Sequence, residues 1–401
     1  MIRRLLLCAA AALALALPGS AAGPAGITAG EILLGGTVAL SGPESAFGVV
    51  APGADAYFKW VNDHGGVNGR KIRYLYLDDA YDPAQTVLQT RRLVEQEKVF
   101  AIFNSTGTEQ AIAVRQYLND NGVPQLFVGS GLSRLSTEAK RYPWSVGFLL
   151  PFVAEGRIFG QYIAKNTPGA KVAILYESSD YGKELLRGFK AGLGKKGTIV
   201  GAELYNVTDP SVESQIAKLK ASNATTLILF ALPKQTIQSF VAIDKLGWHP
   251  RVYITSISID PAVMQIAKLN TSSRTTEGSV SIAFLKDPTN PKWANDKGVK
   301  LYFEIMKRYA KGADPKAVAH FYGMAAAFTM VDTLKKAGKN PTRASVLNAA
   351  THLNEKDNPF LLPGIVVETT PTRRYPLEQA QFYTFKKGLW TAKGPLVQAK
   401  G

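Results

Sequence analysis

One short polar segment of the chain has the composition of an anion-binding turn: Asn104, Ser105, Thr106, Gly107 and Thr108. It follows the apolar run 99–103 and precedes apolar residues at helical spacing, which predicts a strand, a tight turn and a helix. The first N–H groups of a helix have no partner within the helix, and its dipole favours negative charge there. The segment is therefore a candidate carboxylate site, with ordinary Ser or Thr capping of the helix as the alternative.

Residues typical of catalytic and metal centres do not cluster in this sequence. The histidines His64, His249, His320 and His352 are far apart, and no nucleophile elbow, phosphate loop or metal-ligand pair appears. The acidic segment 78–82 could suggest a metal, but an acidic strand end that caps the next helix is the favoured interpretation. We therefore predict no enzymatic activity, no metal and no cofactor.

The first third of the chain alternates between apolar strands and amphipathic helices. Strands are predicted at 32–40, 71–79, 99–103 and 124–128, and the last of these runs into Gly129, Ser130 and Gly131. Such a βαβ rhythm calls for a parallel sheet covered by helices on both faces. The predicted fold class is α/β.

The rhythm restarts after residue 145 and predicts a second α/β unit, with strands at 172–176, 199–205, 226–231 and 252–257. Later helices lack strands of their own, so we expect them to cover the first sheet. The chain would then cross near residues 145, 280 and 361. This arrangement predicts one lobe from 27–145 plus 281–361, another from 146–280 plus 362–396, and a three-strand hinge.

Turns that follow the strands should meet at the carboxyl ends of the two sheets, where ligands bind in open α/β folds. One wall would come from 41–47, 104–108 and 129–131. The facing wall would come from 178–182, 232–233 and 256–258. We therefore expect a ligand cleft between the lobes.

The amino terminus has the features of a secretory signal peptide. Arginines at 3 and 4 precede an apolar run from Leu5 to Leu17, which is too short to cross a bilayer, and small residues suit cleavage near Ala22. The one cysteine, Cys8, lies inside this segment. Export would make a nucleic-acid partner implausible despite the formal charge of +16, and the basic residues are scattered. The expected location is the periplasm.

Several motifs in order resemble the periplasmic solute-binding proteins of branched-chain amino acid type ABC transporters. They are Ser41-Gly42-Pro43 with Phe47-Gly48, Gly65 to Ile72, Asp78-Asp79 with Asp82-Pro83, and Asp180-Tyr181-Gly182. Further segments resemble a subgroup often linked to aromatic acids: 143–144, 155–157, 208–210, 286–289 and 361–365. The resemblance implies two doubly wound α/β lobes and delivery of a solute to an inner-membrane ABC permease.

The resemblance also implies roles for individual residues. The turns at 104–108 and 129–131 would hold the ligand carboxylate, while Phe47 and Tyr181 would form side walls. Amino-acid binders carry an acid on the strand end that matches Ser256 to Ser258, which this chain lacks, and Leu232 stands where a polar or aromatic contact is common. A buried ammonium without an opposite charge is costly, so an acid that lacks the amine is favoured.

Two questions remain open from the sequence. Tyr322 could face the cleft or pack within the first lobe. The function could be transport by a monomeric binding protein, or it could be ligand sensing on behalf of a signalling partner.

Overall fold

The structure, a computed structural model, describes residues 24–272 and 274–399. The predicted signal peptide at 1–22 lies outside the described residues. In chain order the strands are β1 (Glu31–Val38), β2 (Lys71–Asp78), β3 (Ala101–Phe103), β4 (Gln125–Val128), β5 (Ser145–Gly147), β6 (Ala170–Glu177), β7 (Gly197–Tyr205), β8 (Thr226–Phe230), β9 (Arg251–Ile254), β10 (Val280–Ala283), β11 (Asn354–Glu355), β12 (Val367–Glu368), β13 (Gln379–Lys386) and β14 (Leu389–Gln398).

Helices alternate with these strands until residue 269 and then follow one another. They are α1 (Val50–Asp63), α2 (Pro83–Arg91), α3 (Thr108–Asp120), α4 (Arg134–Thr137), α5 (Phe152–Asn166), α6 (Asp180–Leu193), α7 (Glu213–Ala221), α8 (Pro233–Lys245), α9 (Pro261–Leu269), α10 (Lys297–Tyr309), α11 (Ala319–Lys336) and α12 (Arg343–Ala350). Short 3₁₀ turns lie at Ser45–Val49, Ser256–Ser258 and Pro291–Trp293, and a π-helical turn lies at Arg92–Gln96.

The first sheet has the order β2-β1-β3-β4-β5, and each of its pairings is parallel. Its central strands are buried because they carry near-continuous apolar runs, as in Ile32-Leu33-Leu34 of β1. Parallel strands need helical crossovers, which cover both faces and exclude water from the backbone. This confirms the α/β class predicted from the sequence.

The second sheet has the order β14-β13-β10-β9-β8-β6-β7. Strands β6 to β10 pair in parallel, whereas β13 and β14 form an antiparallel hairpin that pairs with β10 at one edge of the sheet. The sequence pattern predicts strands near the carboxyl terminus at 365–368 and 381–385, which overlap β12 and β13, and it does not predict β14. That strand lies at the sheet edge with mostly exposed or half-buried residues, so its apolar periodicity is weak.

The late helices α10 and α11 pack against α1, beside the first sheet. Glycine allows this close approach: a Cβ on Gly53 would collide with the backbone of His320, and one on Gly323 with the backbone of Val50. These contacts let α1 and α11 pack almost backbone to backbone. The late helices thereby complete the cover of the first sheet.

The chain passes between the two sheets in three places. It leaves the first sheet after β5, and returns after β10 through a segment in which Leu285 bridges Leu361 in antiparallel fashion. The backbone N–H of Leu362 donates to the carbonyl of Phe284 at 2.9 Å, so the second and third passages lie side by side. Strand β10 pairs within the second sheet. The exact lobe boundaries stay a prediction.

Candidate functional site

A cavity of about 620 Å³ lies where the strands of both sheets end. Its lining comes from the segments that follow β1, β3, β4, β6, β8, β9 and β10, which is the ligand position expected for open α/β sheets. Most of the residues predicted from the sequence line it: Phe47, Thr106, Gly107, Thr108, Gly129, Tyr181, Leu232, Ser256 and Tyr322.

Four predicted residues are absent from this lining and lie in the same turns: Asn104, Ser105, Ser130 and Gly131. The side-chain amide of Asn104 donates to the carbonyl of Phe127 at 2.6 Å and to the Tyr322 hydroxyl at 3.2 Å. Ser105 Oγ accepts the backbone N–H of Thr37 at 3.0 Å. Ser130 and Gly131 lie in the neighbouring turn, where Ser130 Oγ is 2.9 Å from the Thr108 hydroxyl. Direct ligand contact by these four residues stays a prediction.

The start of α3 is open rather than capped. Its N-cap residue is Gly107, which has φ of 108° and offers no side-chain hydrogen bond to the helix. A side chain here would be strained at this φ and would collide with Gln110. Thr106 Oγ1 is buried without a hydrogen-bond partner among the described residues. The capping interpretation therefore does not describe this turn, which leaves N–H groups and a hydroxyl available to an anion.

Aromatic rings form much of the wall around this turn. The Phe47 ring lies 6.0 Å from the ring of Tyr81, and the Tyr181 ring meets Phe152 edge-on at 4.9 Å. The Tyr181 hydroxyl is 3.0 Å from Thr255 Oγ1, and burial raises its pKa well above the usual value, so it stays neutral. The wall is suited to a flat or branched apolar group.

Ser256 is held by an acid from another helix. Glu155 of α5 is fully buried and accepts hydrogen bonds from the backbone N–H of Ser256 at 2.7 Å and from its hydroxyl at 2.8 Å. Burial raises the Glu155 pKa to about 7. Because both carboxyl oxygens are engaged, Glu155 positions Ser256 instead of presenting a free charge to the cavity.

Several lining residues were missed by sequence reasoning. They include Tyr81, Leu149, Phe152, Val318 and Trp390, whereas Glu44 and Ile257 lie inside the predicted wall segments 41–47 and 256–258. Most are apolar residues that any buried core could use, so their types gave no signal. Tyr81 follows the acidic end of β2 in a loop, where an aromatic residue belongs to no periodic pattern.

Polar contacts join the two sides of the cavity at the surface. Ser133 donates its backbone N–H to Glu184 Oε2 at 2.8 Å, and its hydroxyl also donates to that carboxylate. Arg134 pairs with Asp180, whose own N–H donates to Glu109. The two halves are therefore in contact along α3, α4 and α6.

No metal centre or membrane span is present in the described part of the chain. Residues 24–272 and 274–399 contain no cluster of three or more His, Cys, Asp or Glu side chains that could hold an ion. Within the same ranges, every helix is too short or too polar to cross a bilayer.

Comparison with known proteins gives consistent matches over most of the chain. A family profile described as periplasmic binding protein matches residues 31–388. The Leu/Ile/Val-binding protein homolog 1 of Brucella abortus (strain 2308) is 27% identical over 322 residues, which cover 77% of this chain and 80% of that protein.

Solved structures match at lower identity. The fatty acid ABC transporter substrate-binding protein from Thermomonospora curvata aligns with a TM-score of 0.79 and 21% identity, over 94% of each chain. The branched chain amino acid ABC transporter from Thermus thermophilus with bound valine aligns with a TM-score of 0.80 and 18% identity, over 92% of this chain and 96% of that one. At these identities the matches show a shared fold.

Proposed function

This chain belongs to the periplasmic binding protein family, and from that premise we propose that it captures a small carboxylate for an ABC permease of the inner membrane. Members of the family are solute-binding components without catalytic activity, so the chain is not an enzyme. The family match confirms the resemblance identified in the sequence. The aromatic-acid subgroup stays a prediction.

The carboxylate assignment rests on one observation. Thr106 presents an unpaired buried hydroxyl beside the open start of α3, inside a cavity whose other walls are mainly apolar. A carboxylate would satisfy these donors and gain from the helix dipole, whereas an uncharged apolar solute would leave them unpaired. The solutes named for the similar proteins agree, because branched-chain amino acids and fatty acids each combine a carboxylate with an apolar body.

We favour an acid with an aromatic or branched apolar body over an α-amino acid. The strand end at 256–258 carries no acid, and Glu155 behind it is already engaged by Ser256. Asp260, which follows this turn in the cavity lining, is engaged as the cap of α9 through the N–H of Ala262. An ammonium beside Ser256 would therefore meet no uncommitted carboxylate of this turn. Phe47, Tyr181 and Leu232 supply apolar contact area instead.

The proposed mechanism is closure of two lobes around the ligand, as is known for periplasmic binding proteins in general. A ligand that touches both walls stabilises the closed state, because only differential affinity shifts a conformational equilibrium. We propose the lobes 27–145 plus 281–361 and 146–280 plus 362–396, a monomeric state and a periplasmic location.

A thermal-shift screen tests this function directly. Aromatic acids, aliphatic acids, branched-chain amino acids and small amides are compared at matched concentration, and each hit is titrated by calorimetry. We expect carboxylates to raise the melting temperature and amides without a carboxyl group to have no effect. Stabilisation by amino acids alone would contradict the preference drawn from Ser256.

A further inference from the structure

Glu44 is a buried acid in the cavity wall without a hydrogen-bond partner. Its side chain is 1% exposed, and neither carboxyl oxygen has a partner in hydrogen-bonding geometry among the described residues. It follows β1 in the loop that leads to Phe47, and it lines the same cavity as Thr106. Burying a carboxyl group without partners is costly, so a ligand group that satisfies it would gain the missing interactions.

Other buried acids in the described chain differ from Glu44. Asp79 accepts from Thr86 Oγ1, Glu155 from Ser256, Glu184 from Ser133, and Glu355 from Thr329 Oγ1. Each of these carboxyl groups has a structural role that consumes at least one oxygen. Glu44 makes no such hydrogen bond among the described residues, so both of its carboxyl oxygens are available to a ligand.

Two glutamines of α8 carry unpaired acceptors: Gln238 lines the cavity, and Gln235 is buried near Glu44. Gln235 donates its amide N–H to the carbonyl of Val207 at 3.4 Å, and Gln238 donates to the carbonyl of Pro210 at 2.8 Å. These bonds fix the orientation of both amides, because a flip would set oxygen against oxygen. The amide oxygens of Gln235 and Gln238 remain buried without partners. The described residues therefore leave these amide oxygens and both Glu44 oxygens without partners, and Lys234 is a cationic donor in the same cavity lining.

The charged groups near Glu44 act in opposite directions. Glu177 repels its charge and Lys234 attracts it, while the Gln235 side chain offsets part of the burial effect without reaching hydrogen-bond geometry. Burial is the largest influence and raises the Glu44 pKa to about 8. With this pKa the carboxyl group is mostly protonated at neutral pH.

We propose that Glu44, assisted by the amide oxygen of Gln238 in the same cavity lining, binds a nitrogen donor of the ligand, an ammonium or amide N–H. This inference rests on the proposed carboxylate function and narrows its ligand class to acids that also carry such a donor. Amino-acid binders place an acid on the strand end that matches 256–258. In this chain Glu44 would supply the acid from the opposite wall, and it would contact a different part of the ligand. Glu44 would discriminate between ligands by their nitrogen donor, and the Thr106 hydroxyl would bind the carboxylate that they share.

Matched ligands test the inference by calorimetry. Phenylacetate is compared with its para-aminomethyl and para-carboxamide derivatives, and hexanoate with its terminal-amino derivative. For the wild-type protein we expect the ammonium-bearing member of a pair to bind roughly tenfold tighter or more, the usual gain from a hydrogen bond to a charged group. We expect the amide-bearing member to bind about threefold tighter or more, the usual gain from a neutral hydrogen bond. Ammonium binding at pH 7 should also release a proton, visible as a dependence of the heat on the buffer, because Glu44 must ionise.

Two substitutions separate charge from hydrogen bonding. Glu44→Met should abolish both preferences, whereas Glu44→Gln should abolish the preference for the ammonium and keep that for the amide, since its Oε1 still accepts. Glu355→Gln, which alters a buried acid that is absent from the cavity lining, should keep the wild-type preferences. Glu44→Met should melt at or above the wild-type temperature, because the unpaired carboxyl group is gone.

The possible failures are distinguishable. If no acid of either series binds the wild type, the carboxylate function and this inference both fail. If acids bind but nitrogen brings no gain, or if the gain survives Glu44→Met, the inference is wrong and the carboxylate function stands. Stabilisation by calcium ions alone that depends on Glu44 would also overturn it, since the acceptors would then form a metal site.

Discussion

Glu109 Oε1 accepts the backbone N–H of Asp180 at 2.9 Å. The acceptor lies in the first turn of α3, and the donor is the first residue of α6, so the contact joins the amino ends of helices from the two sheets. A carboxylate is favourable at a helix amino terminus because it pairs an unsatisfied N–H and complements the dipole. The bond can form only when the two halves are close.

Removing this contact should favour the open form. We expect Glu109→Ala to weaken ligand binding roughly threefold to tenfold, the net value of one such hydrogen bond. Small-angle scattering should show a larger radius of gyration for the ligand-free variant. Glu95→Ala removes a side chain that is 53% exposed and bonded within the first half, and it serves as the control. Equal affinities for the two variants would show that Glu109 has no part in closure.

The Thr106 hydroxyl should contribute to affinity and not to folding. Thr106→Val keeps the shape of the side chain and removes an unpaired hydroxyl, and together with Thr108→Val it should lower carboxylate affinity by about tenfold or more. Thr90→Val is the matched control, because Thr90 has a buried unpaired hydroxyl but is absent from the cavity lining. Calorimetry compares the affinities and circular dichroism the melting curves. Unchanged affinity of the double variant would remove the basis for a carboxylate at this turn.

Phe47 should supply apolar contact area to the ligand. Phe47→Ala should reduce affinity about fivefold or more, as expected for the loss of a large apolar contact. Phe303→Ala, at a phenylalanine that is 39% exposed and outside the cavity lining, should leave affinity unchanged. A titration series measures both. If the two variants behave alike, Phe47 is a rim residue without contact to the ligand.

Stability should fall as the pH rises from about 4.5 to about 8. Burial raises the pKa of Glu155, Glu177 and Glu355 to about 7 and that of Glu44 to about 8, each from a usual value of 4.5. The folded state therefore holds these protons more tightly than the unfolded state, and ionisation on raising the pH destabilises it. His320 opposes the trend, since burial lowers its pKa.

Melting temperatures across this pH range check the sign. Glu155→Gln cannot ionise and keeps an acceptor for Ser256, so its curve should be flatter than that of the wild type between pH 4.5 and 7. If the melting temperatures of the variant and the wild type change equally with pH, Glu155 does not titrate between pH 4.5 and 7.

The order of elements and the position of the cleft could be predicted because they depend on local patterns. Apolar runs in the sequence predict the strands, and the polar residues after each run predict turns such as 104–108. The sheets bring these turns together at the cavity. The open helix start was not decided by the sequence, which allowed a Ser or Thr cap; the structure shows that the N-cap residue is Gly107, which offers no capping side chain.

Long-range pairings could not be predicted in this way. Glu155 and Ser256 are separated by 101 positions, and Asn104 and Tyr322 by 218, so neither pair leaves a periodic signal. Glu44 stands in a polar loop where an exposed acid is the ordinary expectation. Only the packing of the loop against α8 shows that this acid is buried.

The mainly apolar wall of the cavity has a thermodynamic consequence. Transfer of an apolar ligand body from water to such a wall lowers the heat capacity of the system, whatever the sign of the enthalpy at one temperature. Capture should therefore become more exothermic as the protein is warmed, with only a small change in affinity. Calorimetric titrations at several temperatures around room temperature would measure this slope. A slope near zero would indicate that the ligand is held by its polar groups, with its apolar body left in water.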